Sequence, residues 1–189
     1  MTTALGVRPP SGGWTTDDLE TLPEDGLRRE LLDGVLLVSP TPTTAHQVIA
    51  ARLMVALEQT CPPDLQATQR VEVRISSRQS FIPDVLVTTD AAARRNPQHF
   101  RPHEVVLAVE IVSPTSQSMD RITKPALYAA AEIPYFWSVE TDDGIAVHTM
   151  KIDPLAEVYR PSGTFGDMID VAEPWAIKIP ISVLTPRHL

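Results

Sequence analysis

Two nearly continuous apolar runs, residues 82–88 and 105–112, place the tightest limit on what this chain can fold into. Each has the length of a strand and is rich in Val, Ile and Leu, and such a strand is stable only when both of its faces are covered. Both are therefore expected in the middle of a sheet with other layers packed on it. The 18 prolines in 189 residues, roughly twice ordinary usage, exclude a bundle of long helices, because a proline removes a backbone donor and disrupts a helix interior. The length suits one domain, and 43% hydrophobic with 21% charged residues is the composition of a folding chain, neither disordered nor membrane-embedded.

Local signals fill in the rest. Residues 1–13, ending in Pro9-Pro10-Ser11-Gly12-Gly13, lack periodicity and are expected to be a flexible tail, with one domain over residues 14–189. Thr15 or Thr16 can cap a short helix that Pro23 ends. Asp33-Gly34 between two apolar segments predicts a two-residue β-hairpin, since this pair tolerates the positive φ of a type I′ turn. Helical spacing predicts helices over 46–60 and 119–131, with Pro125 near the start of the second or kinking it. Strands are predicted over 67–75, 82–88, 105–112, 135–140 and 145–151, with shorter ones around 157–160, 168–171 and 176–179. The polar connection 90–102, carrying Arg94, Arg95, His99 and Arg101, is expected to be a surface loop. The expected class is α/β (α+β), with a central mixed β-sheet flanked by helices and additional β-hairpins.

Composition also bounds the setting. A lone cysteine, Cys61, cannot form an internal disulfide, and no apolar run approaches the roughly 18 residues that span a membrane. The N-terminus lacks a basic stretch followed by an apolar one, so a cytoplasmic location and no membrane contact are expected. A formal net charge of -8 argues against a broad basic surface for nucleic acid. Gly163 and Gly166 make no phosphate loop, no Cys/His set suggests zinc, and Ser113-Pro114-Thr115-Ser116 lacks the glycines of a nucleophile elbow.

The chemistry is carried by Asp84 and Glu110, each flanked by apolar neighbours within the two buried runs. An ionised carboxylate in an apolar sheet costs several kcal/mol unless something compensates it, and a metal ion is the simplest compensation. On adjacent strands the two could converge on one Mg²⁺, which takes a few oxygen ligands and retains water. Lys124 follows in the second predicted helix.

Pro83-Asp84, Glu110-Ile111-Val112 and Lys124 resemble the catalytic signature of the PD-(D/E)xK nuclease superfamily. The wider frame resembles the Uma family of putative restriction endonucleases: Arg29-Glu30-Leu31-Leu32-Asp33-Gly34, Ser39-Pro40, His46, Pro83-Asp84-Val85, Val109-Glu110-Ile111-Val112-Ser113-Pro114, Asp120, Lys124, Tyr128 and Ile133-Pro134-Tyr135-Phe136-Trp137. The resemblance runs from about Trp14 to Val183 and implies a restriction-endonuclease-like core. It also implies a Mg²⁺- or Mn²⁺-dependent endonuclease acting on DNA. Asp84, Glu110 and Glu30 would be metal ligands, and Lys124 would orient water or stabilise charge. His46, Gln47 and Tyr128 are further candidates near the substrate or behind the ligands. The superfamily lysine stands two positions after the glutamate, where this chain has Val112, so the resemblance implies that Lys124 has taken over that role from the next helix.

The rival expectation is a catalytically degenerate nuclease fold used as a binding or assembly module. A homodimer would supply the two sites needed to cut both strands of a duplex. Concentrated like charge at Asp84, Glu110 and Glu30 is expected to raise at least one carboxylate pKa, and Asp84→Asn to leave the metal-free fold as stable or slightly more so.

Overall fold

In the computed structural model, which describes residues 9–113 and 116–187, Asp33 and Gly34 adopt φ of 50° and 79°, the doubly left-handed geometry of the predicted turn. They join β1 (Arg28–Leu32) to β2 (Val35–Ser39), with Leu32 opposite Val35. Residues 1–8 of the expected tail, and Pro114 and Thr115, lie outside the described residues. The short helix α1 (Thr16–Leu19) starts in a capping box, Thr15 and Asp18 satisfying each other's backbone donors. The helix α2 (Thr44–Glu58) is capped by Thr43, whose hydroxyl accepts from the His46 N–H.

The remaining strands are β3 (Leu65–Thr68), β4 (Glu72–Ser76), β5 (Gln79–Phe81), β6 (Val85–Thr89), β7 (His99–Phe100), β8 (Val105–Ile111), β9 (Tyr135–Glu140), β10 (Ala146–Asp153), β11 (Val158–Phe165), β12 (Met168–Val171) and β13 (Ile177–Pro180). They form a six-stranded sheet in the order β11-β10-β9-β8-β6-β3, a five-stranded sheet in the order β2-β1-β5-β4-β7, and the β12-β13 pair. The six-stranded sheet is mixed, because β8 and β9 run parallel while its other pairs are antiparallel. The fold is therefore of the mixed α+β class expected.

The two apolar runs pair with each other as β6 and β8, and both of their faces are covered. On one side Val85, Val87, Leu107 and Val109 pack with Ile49, Leu53 and Leu57 of α2; on the other Leu86 and Ala108 pack with Phe81, Phe100 and Tyr128. Strand alternation places Glu110 on the same face as Ala108, toward Tyr128.

Three expectations are corrected. The segment 67–75 is two strands in two sheets: Arg70, at φ 56°, turns the chain between β3 and β4, which single-strand periodicity cannot reveal. The connection 90–102 contains a helix, α3 (Asp90–Ala93), and strand β7. Two of its three arginines are tied down locally, Arg94 by Asp90 and Arg95 by Glu104, near the opposite end of β8 from Glu110. The helix expected over 119–131 opens with a π turn, Met119–Thr123, before α4 (Lys124–Ala130). Pro125 has no N–H to give and its ring crowds the preceding turn, so the helix widens and the Lys124 N–H reaches Met119. The last helix, α5 (Ile181–Leu184), returns the chain to α2, burying Ile181 and Leu184. Among the described residues no helix is long and apolar enough to cross a membrane.

Candidate active site

Five elements deliver charged side chains to one buried cluster. Arg28 and Glu30 are two apart on β1 and so share a face. Asp84 stands just before β6, its N–H bonded to the Val109 carbonyl, and Glu110 comes from the end of β8. His46 lies in the first turn of α2. Asp120, Lys124 and Tyr128, four apart, line one face of the π turn and α4.

Lys124 is 3% exposed, and its Nζ lies 3.1 Å from Glu30, 3.1 Å from Glu110 and 3.5 Å from Asp120, above the Phe81 ring. Arg28 links Asp84 to the two glutamates, with Nη1 2.9 Å from Asp84 and Nη2 3.1 Å from Glu30 and 3.6 Å from Glu110. It also donates to the Ile82 carbonyl. Asp84 Oδ2 accepts from the Ile111 N–H at 2.9 Å and lies 3.1 Å from His46 Nε2. Glu110 Oε1 accepts from the Tyr128 hydroxyl at 2.8 Å, and Glu30 Oε1 from the Ile82 N–H at 2.8 Å. The Ser116 hydroxyl donates to Asp120.

These partners separate the acids. Burial pushes Asp84 upward, but His46, the Arg28 charge and the Ile111 N–H outweigh it and hold its pKa at about 2. Glu30 is also lowered, burial being outweighed by Lys124 and Arg28. Glu110 goes the other way: complete burial, with Asp84 and Asp120 adding repulsion, raises it to about 8 in spite of Lys124. Burial raises Asp120 too. Lys124 is held above its usual range because Glu110 and Glu30 outweigh its burial. The expected like-charge strain thus falls on Glu110, whereas Asp84 is a well-paired anion. Because Asp84 is so paired, Asp84→Asn is expected to lower the stability of the metal-free fold, the reverse of what like-charge repulsion alone suggests.

The cluster opens into a cavity of about 590 Å³, walled by Leu37, Pro40, Ile49, Val112 and Met119 among others. Val112 is buried, and Lys124 meets the glutamate from the next helix. Gln47 is not brought here; one position round the helix from His46, it is exposed and donates to the Pro42 carbonyl. Sequence reasoning missed Arg28 as a cluster member, although its two-residue spacing from Glu30 in a strand was a usable signal. Asp120 was noted only as part of a pattern, and its four-residue spacing from Lys124 marks it likewise.

The Uma2 family, described as "putative restriction endonuclease", matches residues 16–177, which include every residue of the cluster. The chain belongs to the Uma2 family. Among solved structures it is similar to a protein from Anabaena variabilis described as a putative nuclease belonging to DUF820, with a TM-score of 0.68 at 19% identity over 90% of this chain and 96% of the other. That likeness establishes the shared fold. No curated protein matches the chain.

Whether this Uma2-family site suits a divalent ion can be tested on charge and donor type. Among the described residues, no three or more His, Cys, Asp or Glu side chains are disposed around one point as metal ligands, because Arg28 and Lys124 stand between the carboxylates. The donors are nonetheless hard oxygens, as Mg²⁺ and Mn²⁺ prefer. Four buried carboxylates, Glu30, Asp84, Glu110 and Asp120, also face two fixed cations, leaving a deficit equal to one divalent charge when all are ionised. Chemistry and charge fit, provided that the cations between the ligands can give way.

Proposed function

We propose that this chain is a Mg²⁺- or Mn²⁺-dependent endonuclease acting on DNA, with Asp84, Glu110 and Glu30 holding the ion. The observation that carries the reading is the gathering of these carboxylates and Lys124 in the lining of one cavity, inside the span matched by a nuclease family. A bound divalent ion supplies Lewis-acid polarisation of the scissile phosphate. Lys124, fixed by three acids, offers a preorganised cation to the charge that develops on the phosphoryl oxygens. Tyr128 fixes the Glu110 carboxyl through its hydroxyl, and His46 orients Asp84.

The rival reading, a nuclease-type fold serving as a binding module, draws on the net charge of -8 and on carboxylates already occupied by Arg28 and Lys124. Calorimetric titration of Mn²⁺ into metal-stripped protein, beside cleavage of supercoiled plasmid and of single-stranded DNA and RNA, separates the two. The nuclease reading expects metal-dependent nicking of plasmid that Glu110→Gln abolishes. Absence of metal binding at millimolar concentration, with intact plasmid, would sink it.

A further inference from the structure

We propose that Arg28 is a built-in counter-ion occupying the metal centre, and that a divalent ion must displace it from the carboxylates in order to bind. The inference rests on the metal-dependent reading above. Arg28 touches all three expected ligands, Asp84, Glu30 and Glu110, whereas Lys124 touches Glu30, Glu110 and Asp120. An ion shared by Asp84 and Glu110 would therefore contend with the Arg28 guanidinium first.

Arg28 is also the cation better placed to leave. Both line the cavity, but the Arg28 side chain is 13% exposed against 3% for Lys124. Among the described residues its buried Nε has no hydrogen-bond partner, and the guanidinium is anchored through its two terminal nitrogens. Lys124 is enclosed by three acids and the Phe81 ring, and moving it would open the core.

Arg28 therefore compensates the carboxylates in the metal-free protein and weakens metal affinity by the same interactions. The test is calorimetric titration of Mn²⁺ into wild type, Arg28→Gln and Arg28→Lys at neutral pH and low salt, with a circular dichroism spectrum and thermal melt of each. Arg28→Gln is expected to melt lower without metal and to bind Mn²⁺ about tenfold or more tighter, because a unit charge about 4 Å from an ion repels it by several RT even at an effective dielectric near 20. Arg28→Lys, which keeps the charge with fewer contacts, should lie between wild type and Arg28→Gln, and it carries the comparison if Arg28→Gln does not fold. Unchanged or weaker affinity in a folded variant would show that Arg28 positions the ligands, overturning the inference while leaving the nuclease reading intact. If neither wild type nor variants bind Mn²⁺, the metal-dependent reading fails and this inference fails with it.

Discussion

The Glu110 carboxyl is the best place to measure what this cluster costs the fold, and Glu110→Gln is the substitution that measures it. Glu110 is 1% exposed and titrates near pH 8 because burial, reinforced by Asp84 and Asp120, opposes its ionised form. An acid whose folded pKa lies above its unfolded value is a penalty that is absent below the unfolded value and grows as pH rises toward the folded one. Taking about 8 folded and 4.5 unfolded, the penalty is about 1 kcal/mol at pH 5, about 3 at pH 7 and about 5 at pH 9. Glutamine keeps the volume and an oxygen to accept from Tyr128, but cannot ionise when the chain unfolds.

Metal-stripped Glu110→Gln should therefore exceed wild type in stability by roughly these amounts, equivalent to a melting temperature about 6–12 °C higher at pH 7 for a chain of this size. Urea denaturation in EDTA at the three pH values is the assay. A difference that does not change with pH, or a variant weaker throughout, would mean that Glu110 is an ionised partner of Lys124 in the folded state, and the reasoning would be wrong.

The same network makes three further predictions. Asp84, depressed to about 2, contributes stability that is present above its unfolded value of 3.8 and lost as pH falls toward 2, so Asp84→Asn should cost about 2 kcal/mol at neutral pH in urea denaturation and little near pH 2. Lys124→Ala leaves three buried acids short of a cation and should cost about 3–5 kcal/mol by the same method, with plasmid cleavage falling at least ~100-fold while Mn²⁺ binding survives in calorimetry. Tyr128→Phe removes the hydroxyl that donates to Glu110 and should cost about 1–3 kcal/mol, read by thermal denaturation; no loss would mean that the hydroxyl is not a working partner.

Much of the fold was legible because its signals are local. Asp33-Gly34 names its own turn, the helical spacing over 46–60 names α2, and two nearly continuous apolar runs name a doubly covered strand pair. Asp84 and Glu110 stood out because charge inside such runs is costly. What stayed hidden depends on contacts distant in sequence. Nothing in the residues around Arg70 says that the chain changes sheets there, and the five-stranded sheet that brings β1 alongside β5 exists only through that change. The spacing of Arg28 from Glu30 hinted at a shared face, but its contacts with Asp84 and Glu110 were hidden for the same reason, since these lie 56 and 82 positions further along the chain.

The structure also changes the argument that a metal is the simplest compensation for two carboxylates in an apolar sheet. Asp84 and Glu30 are already compensated, by Arg28, Lys124 and the Ile111 and Ile82 N–H groups. The uncompensated remainder falls on Glu110 and Asp120, where it is met by raised proton affinity. Proton, guanidinium and divalent ion are thus three answers to one charge deficit, and in so small a volume they compete. Metal binding should accordingly release protons and weaken as pH falls below 8, where Glu110 holds its proton. Glu110→Gln removes that proton exchange and one charged ligand, whereas Arg28→Gln removes only the competing cation. Mn²⁺ affinity should therefore move in opposite directions in the two variants, weaker in the first and tighter in the second, and calorimetry in two buffers of different ionisation enthalpy would read the proton release directly. Affinity shifted in the same direction by both would show that the carboxylates and Arg28 work as one scaffold, with no competition between ion and guanidinium.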